Sequence, residues 1–296
     1  MSTTEKLKTL LQAGQFITAP GVFDMFSARV ADRLPFSALY MTGYGVSGSY
    51  LGVADAGLVS YADMVGRARQ IAEGTTKPLI ADADTGFGGL VNVRHTVRGY
   101  EAAGVQAIQM EDQVMPKKCG HTTGRQVVPL ADMLKKIEVA LEARRTDDML
   151  IIARTDARTT NGLTDAIDRA KAFARAGADI VFVESPESAE EFERIGGEIA
   201  ETGAWLLANM VPTGRSPVIP AKTLEAWGFN IAIYPSIGMG AATAALDAAY
   251  RHLLEHGDSV DLKVPSFTMD QLHDLVGFPE VWAFEARHAQ TEPAAS

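Results

Sequence analysis

The sequence has a single cysteine, so no disulfide bond can form within the chain. A lack of disulfides is typical of reducing compartments, and the first residues, MSTTEKLKTLLQ, do not resemble the apolar core of a secretory signal. Basic residues are also scarce, because 27 Lys and Arg stand against 37 Asp and Glu, giving a formal net charge of −10. That charge argues against nucleic acid and anionic membranes as partners, and no apolar run is long enough to cross a bilayer. We therefore expect a cytoplasmic protein that binds neither nucleic acid nor membrane.

Short apolar runs recur along the chain and alternate with helical patterns. The runs cover residues 16–19, 38–41, 79–81, 107–110, 150–153, 180–183, 205–208 and 231–234. Such short stretches of Ile, Leu, Val and Ala without alternation are typical of parallel strands that are covered on both faces. Between the fourth and fifth runs, Leu130, Leu134, Ile137 and Leu141 share one face of a helix. Eight such units in about 250 residues predict a (β/α)₈ TIM barrel.

A doubly wound sheet is the alternative fold, but it would usually carry a G-x-G-x-x-G motif after its first strand. The first run here leads into APGVFD instead. We assign residues 1–257 to the barrel and residues 258–296 to a C-terminal helical extension of the same domain. Phe278, Trp282 and Phe284 make this extension apolar after the barrel is already complete, so we expect it to pack on another subunit.

In TIM barrels the side chains at the carboxyl ends of the strands share one rim, and this rim carries the active site. Acidic residues follow several of the predicted strands, and Asp55 lies in the loop after the second one. The acidic residues at strand ends are Asp82, Asp84, Glu111, Asp112, Asp156 and Glu184. Carboxylates at one rim repel each other unless a cation lies among them. Oxygen ligands without a histidine or cysteine cluster favour Mg²⁺, or else Mn²⁺, over Zn²⁺.

The alternative is that these acids form ion pairs with lysines and arginines, which explains one or two of them but not their repeated placement at strand ends. Arg154 follows the fifth strand. Its planar guanidinium is suited to bind a substrate carboxylate through two parallel hydrogen bonds. The rim thus predicts a metal ion together with an anionic ligand.

The only cysteine, Cys119, lies in a charged loop after the fourth strand, within the motif KKCGH at 117–121. A thiol reacts as its thiolate, and nearby cations favour that form. Lys117, Lys118 and His121 provide such cations, so we predict a reactive cysteine. The alternative is an incidental surface cysteine, but free cysteines are usually small buried hydrophobes and this environment is charged.

Five motifs in order along the chain resemble the isocitrate lyase/phosphoenolpyruvate mutase superfamily. They are DADTGFG at 82–88, EDQ at 111–113, KKCGH at 117–121, ARTD at 153–156 and ANM at 208–210. The resemblance is greatest to its short-chain lyases, of the 2-methylisocitrate lyase and 2,3-dimethylmalate lyase type. It implies a (β/α)₈ barrel with Mg²⁺ at the strand ends. It also implies a homotetramer in which neighbouring subunits exchange the C-terminal helix.

The resemblance further implies roles for individual residues. Asp82 corresponds to the direct metal ligand, and three other acids correspond to residues that hold metal-bound water. These three are Asp55, Asp84 and Glu111. The triplet Thr42, Gly43 and Tyr44 corresponds to the site of the α-carboxylate. The remaining candidate substrate contacts are Gly120, Arg154, Glu184 and Asn209.

The predicted catalytic residues come from two strands and the cysteine loop. By the resemblance, Cys119 corresponds to the proton donor and Tyr40 to the acceptor of the hydroxyl proton. Lys117 and His121 complete the predicted catalytic set. Residues 113–125 correspond to a mobile lid over the site.

One departure from the family pattern bears on the substrate. Lyases of tricarboxylates carry an arginine shortly after the eighth strand, where this sequence has Gly240 and no cation between residues 234 and 250. We therefore expect a Mg²⁺-dependent carbon–carbon lyase that cleaves a 2-hydroxy dicarboxylate, such as a 2-alkylmalate or dimethylmalate, rather than 2-methylisocitrate. Retro-aldol or retro-Claisen cleavage would give a 2-oxo acid such as pyruvate plus a carboxylate. The alternatives are an oxaloacetate hydrolase, a C–P bond mutase or hydrolase of the same superfamily, and a non-catalytic keto-acid-binding protein.

Overall fold

The computed structural model of the protein describes residues 6–120, 122 and 124–289. The chain falls into two compact units, Met1–Gly240 and Ala241–Ser296. All eight strands lie in the first unit. The helix Ile237–His256 begins in the first unit and continues into the second.

Eight parallel strands close into a barrel in chain order, and the first strand pairs with both the second and the last. The strands are β1 (Ile17–Val22), β2 (Leu39–Met41), β3 (Leu79–Asp82), β4 (Ala107–Glu111), β5 (Leu150–Thr155), β6 (Ile180–Val183), β7 (Trp205–Asn209) and β8 (Ile231–Tyr234). The TIM-barrel prediction is therefore confirmed. Several strands extend past the predicted apolar run into a polar residue, because that residue still pairs with the neighbouring strand. Glu111 opposite Arg154 is one such pair.

Helices precede the first strand and follow each of the eight strands along the chain. Those that begin in the first unit are α1 (Leu7–Gln12), α2 (Met25–Asp32), α3 (Gly43–Val46), a π-helix (Ser47–Leu51), α4 (Tyr61–Gly74), α5 (Leu90–Ala102), α6 (Leu130–Ala143), α7 (Arg158–Asn161), α8 (Leu163–Arg175), α9 (Ala189–Ala200), α10 (Ala221–Ala226) and α11 (Ile237–His256). Local chemistry fixes several starts. At α2, Asp24 accepts a hydrogen bond from the Ser27 N–H at 2.8 Å, and the Ser27 hydroxyl accepts one from the Asp24 N–H at 3.1 Å. This reciprocal capping stabilises the first turn.

The core has an inner and an outer layer. Inside the barrel, side chains such as Ile17, Ile80, Ile152 and Phe182 pack together with Leu7 of α1. Two larger clusters of buried apolar residues lie between the strands and the surrounding helices. Burial on both faces explains why the strand sequences lack alternation, and it leaves the carboxyl ends of the strands as the rim that carries polar groups.

The second unit contains the rest of α11 followed by α12 (Met269–Val276) and α13 (Phe278–His288). The predicted helical extension is thus two helices, separated at Gly277, whose φ of 94° is favourable only for glycine. Large apolar side chains in this unit are exposed, including Leu254 at 86% and Trp282 at 50%. Across the described residues, no helix is both long and apolar enough to span a membrane.

Candidate active site

A cavity of about 540 Å³ opens at the carboxyl ends of the strands, within the first unit. Its size is in the range of small-molecule sites. Ten of the candidate residues line it, namely Tyr40, Thr42, Tyr44, Asp55, Asp82, Cys119, Gly120, Arg154, Glu184 and Asn209. Gly43, Asp84, Glu111 and Lys117 lie just behind this lining and contact its residues. His121 lies outside the described residues.

One side of the cavity is an acid cluster, which we define as Asp55, Asp82, Asp84 and Glu111 together with Lys117. Asp82 ends β3, and its carboxylate accepts hydrogen bonds from the backbone N–H of Asp84 at 3.0 Å and of Gly43 at 3.3 Å. A Cβ at Gly43 would lie 2.5 Å from Asp82 Oδ2, so only glycine allows this approach. The Lys117 ammonium forms ion pairs with Asp55 and with Asp84, the latter at 2.7 Å.

Charge in the acid cluster is unbalanced, because four carboxylates share one ammonium. Burial raises the pKa of Asp84 to about 7, against the opposing effect of Lys117. Burial likewise raises the pKa of Asp82, and it raises the pKa of Glu111 well above its ordinary value. Although burial acts to lower the pKa of Lys117, Asp84 and Glu111 hold it well above the usual value. Positive charge added to the cluster would therefore lower these pKa values.

This donor set fits a hard divalent cation. Glu111 Oε1 is buried and accepts no hydrogen bond within the described residues, so it has a lone pair available for a ligand. Carboxylate oxygens are what Mg²⁺ prefers. Among the described residues no group of three or more His, Cys, Asp or Glu side chains is already arranged to hold a metal. Here the Lys117 ammonium lies between Asp55 and Asp84. Lys117 thus compensates charge where a cation would otherwise do so.

The next part of the rim is an arginine cluster, which we define as Arg125, Arg154, Asp156 and Glu184. Arg154 donates to both carboxylate oxygens of Asp156, at 2.8 and 2.9 Å. The buried Arg125 forms an ion pair with the same carboxylate. Arg154 Nη1 lies 3.5 Å from Glu184 Oε2, which also accepts a hydrogen bond from the Asn209 side-chain amide at 3.1 Å, and Glu184 Oε1 lies 3.1 Å from the Ser185 hydroxyl. Two cations and two acids balance here, and the pairing fixes the guanidinium of Arg154 toward the cavity.

Tyr40 ends up between the two clusters. Its hydroxyl donates to Gln109 Oε1 at 3.2 Å, and burial together with Asp82 raises the pKa of Tyr40 well above 10, with Arg154 acting in the opposite direction. Without additional positive charge near Asp82, the phenol is therefore a hydrogen-bond donor. A role as proton acceptor requires additional positive charge near Asp82.

The loop that carries Cys119 is held by a side chain absent from the predicted set. Gln113, directly after β4, donates to the Lys118 carbonyl at 2.8 Å and accepts from the Lys118 N–H at 2.9 Å. The Thr122 N–H and hydroxyl both donate to the Cys119 carbonyl, at 3.0 and 2.8 Å. Cys119 is half-buried and faces the cavity. Of the two lysines that the sequence places beside the thiol, Lys117 forms ion pairs in the acid cluster, and Lys118 Nζ donates to the Gly124 carbonyl at 2.7 Å.

The remaining wall of the cavity is largely apolar and comes from the loops after β7 and β8. It includes Val211, Pro212, Ile237 and Met239. Sequence reasoning missed this wall, since apolar loop residues carry no signature of their own. Their position directly after two strand ends was the available signal. Arg154 is the only cationic side chain among the described residues that line the cavity.

Comparisons with known proteins agree with this geometry. The family model of phosphoenolpyruvate phosphomutase matches residues 7–254. The chain is 46% identical to 2,3-dimethylmalate lyase of Eubacterium barkeri, covering 98% of this chain and 99% of the relative. It is 39% identical to 2-methylisocitrate lyase of Aeropyrum pernix, covering 96% and 89%.

Solved structures give the same picture. A structure of oxaloacetate acetylhydrolase with the inhibitor 3,3-difluorooxalacetate superposes with a TM-score of 0.91 at 34% identity, covering 99% of both chains. A phosphonopyruvate hydrolase complex with oxalate and Mg²⁺ superposes with a TM-score of 0.86 at 29% identity, covering 98% of this chain and all of the other. The chain therefore belongs to the phosphoenolpyruvate mutase/isocitrate lyase superfamily, and it is a carbon–carbon lyase.

Proposed function

We propose that the enzyme cleaves the C2–C3 bond of a 2-hydroxy dicarboxylate with small alkyl substituents, of the 2,3-dimethylmalate type. The products are a 2-oxo acid such as pyruvate and a second carboxylate. The observation that carries this proposal is the charge of the cavity lining. Arg154 supplies one cationic contact and the acid cluster can hold one divalent cation, which together suit two carboxylates. A third carboxylate, as in 2-methylisocitrate, would face the wall of Val211, Ile237 and Met239 at a desolvation cost.

The residues that would hold the cation are Asp82, Asp55, Asp84 and Glu111. Mg²⁺ bound there, with Mn²⁺ as the alternative, would supply the positive charge that acidifies the substrate hydroxyl and orients its neighbouring carboxylate. Thr42 and Tyr44 line this end of the cavity and would contact the carboxylate, while Gly43 between them is held to Asp82 through its N–H. Arg154, fixed by Asp156, presents its remaining N–H groups to the second carboxylate.

Proton transfer completes the reaction. Tyr40, as the phenolate that positive charge added near Asp82 would favour, accepts the proton of the C2 hydroxyl; the C2–C3 bond breaks, and the bonding electron pair stays on the C3 fragment. The thiol of Cys119 then gives its proton to C3. The cavity lining of Val211, Pro212 and Ile237 limits water, and a dry site strengthens each hydrogen bond to the developing charge.

The test is a substrate screen with Mg²⁺, in which pyruvate release is followed through lactate dehydrogenase and NADH. We expect 2,3-dimethylmalate or a related 2-alkylmalate to be turned over with a kcat/KM at least tenfold above that for 2-methylisocitrate, since one unpaired buried charge costs at least that factor. Preferred turnover of 2-methylisocitrate would contradict the dicarboxylate assignment. As a control, Met239→Leu keeps the wall apolar and should therefore show the same preference between the two substrates.

A second candidate is hydrolysis of oxaloacetate to oxalate and acetate. The superposition on oxaloacetate acetylhydrolase over 99% of both chains favours it. The same screen separates the two activities, because oxalate appears only from hydrolysis. Phosphonopyruvate, included in the screen, tests the C–P branch of the superfamily.

We also propose that the enzyme is a homotetramer in which the C-terminal helices are exchanged between subunits. Exposed apolar side chains in the second unit, such as Phe267 at 48% and Trp282 at 50%, support an interface there. Light scattering of the full chain should give a tetramer, and truncation after Lys263 should dissociate it. A monomeric full-length protein would contradict this assembly.

A further inference from the structure

Ser185 has an unusual backbone conformation for its residue type and position. It follows Glu184 at the end of β6, is buried, and has a φ of 60°, in the left-handed region that non-glycine residues seldom adopt. Such conformations persist where surrounding contacts hold them, and they cluster at functional sites. Its side chain has not been given a role in the reaction described above.

The Ser185 hydroxyl joins the arginine cluster to the cysteine loop. Its Oγ donates to the Gly120 carbonyl at 2.9 Å and accepts from Arg125 Nη2 at 3.3 Å. The Glu184 carboxylate is also near, at 3.1 Å, but one hydroxyl proton serves only one acceptor at a time. Arg125 is in turn fixed by Asp156 and by the Thr159 hydroxyl at 2.9 Å.

Gly120 is packed tightly against the substrate-binding side chains at this point. A Cβ on it would lie 2.7 Å from Arg154 Nη2 and 3.0 Å from Glu184 Cδ. A larger residue at the position whose carbonyl Ser185 holds would therefore have to displace Arg154 or Glu184. Cys119, directly before it, faces the cavity.

We propose that Ser185 is a positioning residue that holds the Cys119–Gly120 segment against Arg154 and Glu184. Gln113 holds Lys118 on the other side of the cysteine, so two side chains bracket it. Ser185 itself touches neither the reacting carbon nor the proton in transit. Its effect on catalysis rests on the proposed role of Cys119, whereas its effect on the position of the thiol does not.

Alkylation measures that position directly, since Cys119 is the only cysteine and every carbamidomethyl group added to a thiol reports on it. The protein without substrate is treated with iodoacetamide, and the rate is followed by intact mass. Ser185→Ala and Ser185→Gly both remove the hydroxyl, and glycine adopts a φ of 60° without strain. Both should be alkylated roughly two- to tenfold faster than the wild type. The segment that carries the thiol would lose the hydrogen bond from Ser185 to the Gly120 carbonyl, and the loss of one hydrogen bond has an effect of this size.

Thr96→Val is the matched control, because Thr96 is a buried residue whose hydroxyl donates to a loop carbonyl, that of Gly86, at 3.2 Å, away from the cysteine loop. It should be alkylated at the wild-type rate. Wild-type rates in both Ser185 variants would overturn the proposal. Faster alkylation in Ser185→Ala but not in Ser185→Gly would also overturn it, since the backbone conformation rather than the hydroxyl would then matter.

Kinetics provide the second readout. With 2,3-dimethylmalate and Mg²⁺, Ser185→Gly should lower kcat roughly two- to tenfold while KM stays near the wild-type value, because the thiol and not the ground-state substrate is misplaced. A raised KM with an unchanged kcat would assign Ser185 to substrate binding instead and overturn the positioning role. If the wild type turns over no tested substrate, the proposed function fails, and the alkylation rates still decide the role of Ser185.

Discussion

The acid cluster and the arginine cluster lie side by side at one rim, but they carry buried charge in opposite ways. In the acid cluster four carboxylates share Lys117, and burial raises the pKa of Asp84 to about 7. In the arginine cluster two carboxylates meet two guanidinium groups, and the pKa of Asp156 is lowered despite its burial. Unbalanced charge leaves a site ready to take up a cation, whereas balanced charge fixes side chains in place.

Glu111 belongs to the first cluster but touches the second. Its Oε2 lies 3.4 Å from Arg154 Nε, while its Oε1 has no hydrogen-bond partner within the described residues. The same carboxylate can therefore contact a cation on one side and Arg154 on the other. This arrangement would hold the two charged ends of the proposed dicarboxylate substrate at a fixed separation.

The largest effect should come from removing the capacity of the acid cluster to hold a cation. EDTA treatment or Asp82→Ala should lower kcat/KM at least about 10³-fold, since a metal ion supplies several kcal/mol of charge stabilisation. Mg²⁺ should also raise the melting temperature of the wild type by binding the folded state, and Asp82→Ala should lose this rise. Glu138→Ala, at an exposed acid, is the control and should keep both properties. Full activity after exhaustive EDTA treatment would contradict the inference that the acid cluster, unlike the arginine cluster, holds a cation that the reaction needs.

The next effect concerns the thiol held beside the arginine cluster. Cys119→Ser should lower kcat by about 10²–10⁴ with little change in KM, because a serine hydroxyl is a much weaker acid than a thiol. The Mg²⁺-induced rise in melting temperature should persist, since Cys119 is not one of the proposed cation ligands. Steady-state kinetics and thermal unfolding of the same variant check both statements. Wild-type turnover would make the cysteine a bystander and remove the main support for the proton-transfer scheme.

The next prediction concerns how much the arginine cluster contributes to the free energy of unfolding. Arg125→Met removes a buried cation and leaves Asp156 with Arg154 alone, so the free energy of unfolding should fall by about 3 kcal/mol in urea titrations. Lys135→Met breaks an exposed pair with Glu138 and should change it by less than about 0.5 kcal/mol. Equal effects in the two variants would show that the arginine cluster does not fix the rim as we infer.

The barrel and the acid cluster could both be predicted from the sequence, since they rest on local signals. Parallel strands that are covered on both faces are short apolar runs in the sequence. An acidic residue directly after such a run lies at the rim of the barrel, whichever direction its side chain takes. Asp82 and Glu111 illustrate this, as each is the last residue of its strand. The bounds of β1 were nevertheless predicted wrongly, as residues 16–19 instead of Ile17–Val22. The reason is that Pro20 and Gly21 within the strand resemble the start of a loop.

The arginine cluster was harder to predict, because its pairs join residues far apart in the chain. Arg125 is 31 residues from Asp156 and 60 from Ser185, and an arginine in a polar loop is normally exposed. Asp156 was grouped with the metal-directed acids, but it forms ion pairs with Arg154 and Arg125 instead. Lys117 was assigned to the thiol and is paired with Asp55 and Asp84. Which cation meets which acid is decided by tertiary packing, which a single sequence does not encode locally.

The smallest expected effect is a pH dependence that tests whether the arginine cluster is balanced. Burial opposes the ionisation of Asp156, yet Arg154 and Arg125 lower its pKa below the ordinary value. A carboxyl whose folded pKa is lowered stabilises the folded state above its unfolded pKa of about 3.9, and this contribution is lost as the pH falls through the folded pKa. The stability difference between wild type and Asp156→Asn should thus be constant from about pH 5 to pH 8 and shrink by up to about 1.4 kcal/mol per pH unit below pH 4.

The neighbouring Asp112 provides the matched contrast, because burial and the Asp156 charge raise its pKa to about 6. A raised folded pKa gives the opposite sign: the contribution of Asp112 is fully present below about pH 4 and is lost as the pH rises through about 6. Urea titrations of wild type, Asp156→Asn and Asp112→Asn at several pH values from about 3 to about 8 measure both trends. The difference for Asp112→Asn should shrink with rising pH and that for Asp156→Asn with falling pH. Parallel trends in the two variants would mean that the paired arginines do not hold Asp156 ionised, and the balance assigned to the arginine cluster would be wrong.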